Sequence, residues 1–216
     1  MSYSAKDYRQ MGMDALKTSW STGILCFLLA YAASAVLTAT GYGGIVSILI
    51  TGPLTVGTAI VFLQMSRYHN AQIERVLDAF RTNLANNIVA GLLRTLFIVL
   101  WSLLFVIPGI IKAYAYAMMP YILADNPNMS SMDALRHSER LMHGHKGDLF
   151  RLHLSFIGWL ILVALTGGLM IFYVGPYMQA STTAFYRILA GEGDTDGVGD
   201  DFMATHDFTT GNNYEK

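Results

Sequence analysis

Charge is what this 216-residue chain has least of. Only 13% of its residues are Asp, Glu, Lys or Arg, while 53% are hydrophobic and the mean hydropathy is +0.40. Soluble domains carry roughly a quarter charged residues, so an aqueous globular surface is the first thing excluded. Cysteine is nearly absent too. The single Cys26 rules out an internal disulfide and a disulfide-stapled secreted scaffold. Proline is confined to five positions, which leaves long stretches free to be helical. No carboxylate falls inside an apolar run, and proton- or cation-coupled carriers usually hold one within the membrane. No Ser or Cys lies in a recognisable nucleophile frame, which removes the common hydrolase signatures.

Long apolar runs are what remains. Crossing about 30 Å of hydrocarbon takes about 20 helical residues. Segments of that kind run from Thr22 to Thr40, Ile45 to Met65, Ile88 to Ile107 and Leu169 to Leu189, with shorter ones at Ile110 to Ala124 and Leu152 to Thr166. Each short run is joined to a full-length neighbour by a tight break, Pro108-Gly109 or Gly167-Gly168, and Gly41-Tyr42-Gly43-Gly44 joins the first pair. The expected fold is therefore all-α: a polytopic membrane protein of six transmembrane helices arranged as three hairpins. Ala33-Ser34-Ala35 has the form of a leader cleavage site, but the long polar stretch before the run and its continuation past the site favour a span. Of the 14 Lys and Arg residues, all but Lys112 fall on the side of both termini and the long loops. The positive-inside rule then predicts cytoplasmic termini and outer tight turns.

A repeat underlies the spans. Met13-Asp14-Ala15-Leu16-Lys17 recurs as Leu77-Asp78-Ala79-Phe80-Arg81 and as Met132-Asp133-Ala134-Leu135-Arg136. Each copy precedes a hairpin whose second helix holds one proline, Pro53, Pro120 or Pro176, at 39, 42 and 43 residues from the aspartate. The expected units are 4–66, 70–124 and 130–190 within a membrane domain of residues 1–190. Each begins with an amphipathic cytoplasmic helix, and Ser4-x-x-Asp7 and Ser130-x-x-Asp133 are capping signals for two of them. Tyr8, Met11, Ala15 and Leu16 share a face in the first such helix, as Met132, Leu135 and Met142 do in the third. Such a face suits either the inner leaflet or a neighbouring element. Residues 191–216 hold seven of the 15 acids and read as a disordered tail. Its Asp194 to Asp201 stretch lacks the closing glutamate of a calcium loop.

The third unit and the span before it have a recognisable pattern. The segments IPGIIKAYAYAMMPYILADNP, SSMDALRHSERLMHGHKGDLFRLHLSFIGWLILVALTGG and VGPYMQASTTAFYR, from Ile107 onward, resemble the integral membrane family catalogued as domain of unknown function 975. The resemblance implies a small multi-pass protein of a bacterial plasma membrane, and it carries over no catalytic residue.

Candidate site residues follow from polar groups set in apolar runs. Lys112, with Tyr114, Tyr116 and Tyr121 beside it, reads either as an interfacial anchor in an aromatic belt or as a cation that binds an anionic group. Arg94, a short way into the third span, has the same two readings. Pro53, Pro120 and Pro176 are expected to kink the second helix of each hairpin and to free the carbonyls of Leu49, Tyr116 and Phe172. Tyr177 and Gln179 stand near the last of these, and kinked helices of this kind can line a ligand cavity. His137, His143, His145 and His153 match no metal-ligand spacing, so no metal or other cofactor is expected. Two functions remain open: a non-catalytic module that binds or transports a lipid or amphipathic molecule, or a scaffold whose cytoplasmic helices recruit a protein partner. Membrane lipids are partners in both, and nothing points to nucleic acid.

Overall fold

The computed structural model describes residues 3–17, 19–39, 43–68 and 72–192, and of residues 33–39 and 43–48 the backbone alone. The first hairpin turn and the acidic tail beyond Glu192 lie outside the described residues. Within them the chain is all-helical, with no strand. The helices are α1 (Ala5–Lys17), α2 (Trp20–Ala39), α3 (Gly43–Tyr68), a 3₁₀ turn (Ile73–Leu77) running into α4 (Asp78–Arg81), α5 (Leu84–Leu104), α6 (Val106–Ala115), α7 (Met119–Asp125), α8 (Ser131–Leu141), α9 (Lys146–Leu154), α10 (Ile157–Leu165) and α11 (Ile171–Leu189).

Four helical paths among the described residues are long and apolar enough to cross a membrane: Leu49–Tyr68, Leu84–Leu104, Val106–Asp125 and Lys146–Leu165. Of the two other expected spans, α2 counts as a shorter apolar helix over Trp20–Ala32. α11 is diluted by Tyr173, Gln179, Ser181, Thr182, Thr183 and Arg187. Two of the paths are interrupted. A turn at residues 116–118 separates α6 from α7, and one at 155–156 separates α9 from α10.

Antiparallel pairs are explicit in the side chains. Phe97 meets Tyr116, Trp101 lies under Lys112 and Asn83 donates to the Pro127 carbonyl at 2.7 Å, so α5 runs against α6 and α7. Phe156 and Trp159 pack on Tyr177 and Tyr173, so α10 runs against α11. The α10–α11 turn needs left-handed backbone at two successive residues, and Gly167 (φ 63°) and Gly168 (φ 93°) supply it without a Cβ clash.

The core sits among α3, α7 and α11. Phe62, Met65, Met118, Met119, Ile122 and Phe185 are among its fully enclosed side chains. The helices around it differ sharply: 61% of the Leu49–Tyr68 path and 50% of Val106–Asp125 are buried, against 17% for each of Leu84–Leu104 and Lys146–Leu165. The outer surface of α5 and α10 and their turns is correspondingly apolar, with Leu103, Phe105, Val106, Ile107 and Leu165 among the most exposed residues. α5 reaches the inner layer through Gly91, where an added Cβ would stand 2.6 Å from the Cα of Gly52.

The amphipathic segments bury their apolar faces against helices of the bundle. α1 lies along α11, with Tyr8 edge-on to Phe185 and Gly12 so close that a Cβ would stand 2.6 Å from the Ser181 nitrogen. The 3₁₀ turn packs on α3, where a Cβ on Gly57 would meet the Val76 carbonyl at 2.4 Å. α8 packs on α5, α6 and α7, burying Ser131, Ala134, Leu135 and Ser138. Of the expected faces, Tyr8, Ala15 and Leu16 of α1 and Leu135 and Met142 of the third segment are buried, while Met132 is exposed. Both capping signals form. Asp7 accepts from the Ser4 nitrogen at 2.7 Å, and Ser130 accepts from Asp133 N–H at 3.2 Å.

Candidate functional site

The six residues expected to share a site fall into separate groups. Lys112 is on α6 with Trp101 and Tyr116 at 5.4 and 5.6 Å from its Nζ to the ring centres, a cation-π arrangement. Its Nζ donates to Glu139 Oε1 at 2.6 Å. This changes the placement expected for the lysine. An outward anchor and a loop helix on the opposite face cannot touch, yet these two side chains form an ion pair. The reason is that α8 stands against the second hairpin, where the Ser138 hydroxyl donates to the Ala115 carbonyl at 2.8 Å. Glu139, one residue further along, is thereby carried to the lysine.

Tyr114 faces another way, toward α9, with its hydroxyl 3.2 Å from His153 Nδ1 and its ring edge-on to Phe150. Tyr177 packs between Phe156 and Trp159. Tyr121 and Gln179 do meet: the Gln179 amide donates to the Tyr121 hydroxyl at 2.8 Å, and the Tyr121 ring stacks on Tyr186.

The prolines also act differently from one another. Pro53 and Pro176 lie inside α3 and α11, whereas Pro120 is at the start of α7, after a break rather than within a continuous helix. The Tyr116 carbonyl, expected to be freed there, accepts from Met119 N–H at 3.3 Å. Enclosed Phe, Met and Ile side chains of the core lie among the inner helices.

Below Tyr121 the inner helices end in a charged cluster absent from the sequence expectations. Arg67, at the end of α3, donates to both oxygens of Asp125 at the end of α7, at 2.6 and 2.9 Å. It also binds both oxygens of Glu192, just past α11, with Nε to Oε2 at 3.0 Å. Arg187 donates to Glu192 at 2.8 Å and to the Ser66 carbonyl at 2.6 Å. Tyr186 donates to Asp125 at 2.8 Å. One guanidinium thus ties the ends of three helices together. Burial disfavours the charged form of Glu192, but hydrogen bonds from Arg67 and then Arg187 outweigh it and hold the carboxyl below the usual glutamate range. Glu192 lies on the tail side of residue 190, yet it is part of this buried network. Partners 58 and 125 residues apart leave no periodic trace in a sequence.

Arg94 lies midway along α5, between Leu84 and Leu104. It falls on the same stripe as Asn87, Ala90 and Gly91, which are buried, and Phe97 and Ile98, which pack against the core. It therefore points into the protein. Among the described residues, no three His, Cys, Asp or Glu side chains converge as metal ligands.

With this geometry in hand, comparison with known proteins gives one match. Residues 103–192 fit the family model described as Protein of unknown function (DUF975). No curated protein and no solved structure matches the chain.

Proposed function

We propose that this chain, which over residues 103–192 belongs to the DUF975 family, is a non-catalytic membrane module that binds or transports a lipid or other amphipathic molecule. The observation that carries the reading is the contrast between an apolar exterior and a polar, hydrogen-bonded interior. Leu96, Val99, Leu100 and Leu160 face outward, while Tyr121, Gln179, Ser181, Thr183 and Tyr186 are turned toward the inner helices. Lipid solvates the first set, and the second offers hydrogen-bonding groups that hydrocarbon cannot.

In this reading the chain crosses a bacterial plasma membrane six times, with both termini cytoplasmic, and α8 reaches up beside α6 rather than lying on the membrane surface, which brings Glu139 to Lys112. Three outer helices, α2, α5 and α9–α10, surround three inner ones, α3, α6–α7 and α11. The polar character of α11 is compatible with a span because its Ser181 and Thr183 are fully shielded from lipid. The threefold repeat draws support from the packing of the amphipathic segments. Each lies on the inner helix of the preceding unit in cyclic order: α1 on α11, the 3₁₀ turn on α3, and α8 on α7. A second reading, a scaffold that recruits a protein partner, is favoured by the charged outer face of α8, where Arg136 and Arg140 are exposed.

Mass spectrometry of what co-purifies in mild detergent separates the two. Retention of a lipid or amphipathic molecule, reduced by Tyr121→Phe or Gln179→Leu in a folded protein, supports binding. Retention of a protein alone, lost on Arg136→Glu with Arg140→Glu, supports the scaffold and removes the first reading.

A further inference from the structure

Three half-buried cations among the described residues end on carboxylates. Arg67 has Asp125 and Glu192, Arg187 has Glu192 and Lys112 has Glu139. Arg9 of α1 instead donates to the Ser155 carbonyl at 3.2 Å and leaves its Nε unbonded, and Arg94 on α5 has neither a carboxylate nor a carbonyl. Its Nε is enclosed and bonded to nothing, and among the described residues no acid lies against its guanidinium. The Tyr121 hydroxyl is the titratable group near enough to act on it. That hydroxyl accepts from Gln179 at 2.8 Å and also has the Thr183 hydroxyl within hydrogen-bonding reach. The cluster therefore holds guanidinium and phenol donors from α5 and α7, locked in place by an amide from α11, and no anionic acceptor.

An unpaired guanidinium halfway along an apolar helix is costly and marks a functional position by default. The chemistry that completes it is an oxyanion, which takes two hydrogen bonds from the planar guanidinium fork. Access is available because Arg94 is half-buried rather than sealed. Next to its stripe α5 presents Leu92, Leu96, Val99 and Leu100 to the surroundings, a surface suited to acyl chains.

We propose that Arg94, with the Tyr121 hydroxyl, is the headgroup anchor of a lateral site for an anionic phospholipid. The phosphate sits on the guanidinium and the acyl chains run along the outer face of α5. This rests on the lipid-binding reading and adds the ligand class and the residue that selects it.

The test uses the full chain purified in a non-ionic detergent, with thermal unfolding followed during titration with phosphatidylglycerol, phosphatidylcholine or inorganic phosphate. Phosphatidylglycerol is expected to raise the unfolding temperature of the wild type well above the effect of phosphatidylcholine. In Arg94→Gln the apparent affinity for phosphatidylglycerol should fall roughly tenfold or more. The same variant without lipid should unfold at the wild-type temperature or higher, because removing an unpaired buried charge removes a cost. Tyr121→Phe should show a smaller loss of lipid affinity. Equal stabilisation of wild type and Arg94→Gln overturns the anchor while leaving lipid binding intact. Stabilisation by inorganic phosphate alone replaces the lipid with a soluble anion and overturns the assignment. A marked loss of lipid-free stability in Arg94→Gln makes the arginine structural and overturns it as well. Absence of any lipid effect in the wild type removes both the anchor and the reading it rests on.

Discussion

The inner and outer helices of this protein solve the same problem in opposite ways. α5 and α10 turn leucine, isoleucine and valine outward and bury little of themselves, whereas α3, α7 and α11 are enclosed and carry the tyrosines, threonines and ion-paired ends. Apolarity is a requirement only for a surface that meets lipid. A helix screened by its neighbours can hold Gln179, Ser181 and Thr183 because their polar atoms have protein partners, as in the Ser181 hydroxyl donating to the Tyr177 carbonyl at 2.9 Å. The inner layer therefore depends on specific pairings, and the outer layer depends on composition.

That contrast is broken most directly at Arg67. Replacing it with glutamine leaves the Asp125 carboxylate without its cation and Glu192 with Arg187 alone, in a site where the two acidic side chains are only 14% and 12% exposed. A loss of about 3–5 kcal/mol is expected, the usual consequence of orphaning a buried charge. Thermal unfolding in detergent should register it as a large drop, and an unchanged transition would remove the latch from the account. Next comes the contact between layers. Gly91→Leu must push α5 away from Gly52, where even a Cβ would be 2.6 Å from the Cα. Such overpacking should cost about 1–3 kcal/mol, read by the same unfolding assay, whereas Leu92→Ala, one residue on and exposed, should cost far less.

Acid sharpens the comparison on a smaller scale. Because Glu192 ionises more readily in the folded protein than its ordinary value of 4.5, its contribution is complete above that value and is lost as pH falls through the lower, folded one. Unfolding temperatures measured from pH 7 down to about pH 3 should decline, with part of the slope abolished in Glu192→Gln. Lys112→Met should have the smallest effect. The lysine pairs with a glutamate that is 42% exposed, and such pairs are worth about 1 kcal/mol or less. A drop comparable to that of Arg67→Gln would mean that the Lys112–Glu139 pair is shielded in the bilayer.

How much of this was legible in the sequence depended on whether the signal was local. The apolar runs around α3 and α5 and the Gly167-Gly168 turn were legible because length, hydropathy and glycine are properties of neighbouring residues. The break at residues 116–118 was harder. Pro120 announced a disturbance, but the turn before it lets Met119 bond the carbonyl that a simple kink would leave free. Tyr121 and Gln179 were singled out separately and prove to be hydrogen-bonded. Lys112 and Tyr114, two residues apart, turn to different helices because a helix rotates side chains about 100° per residue. The Arg67 network and the Lys112–Glu139 pair were invisible, since each joins groups far apart in the chain. The place of Arg94 along an apolar run fits both an interfacial anchor and a cation that binds an anionic group, and only its stripe with Asn87, Ala90 and Gly91 reveals that it faces inward.

The most direct test of the two-layer arrangement is spin-label accessibility in lipid bilayers. Single cysteines at Leu100 and at Ile122 would be placed in a Cys26→Ala background and power saturation measured with oxygen and a water-soluble nickel chelate. A label at Leu100 should be strongly relaxed by oxygen and shielded from nickel, and one at Ile122 shielded from both. Nickel access at Leu100, or equal oxygen access at the two positions, would contradict a lipid-facing outer layer around an enclosed inner one.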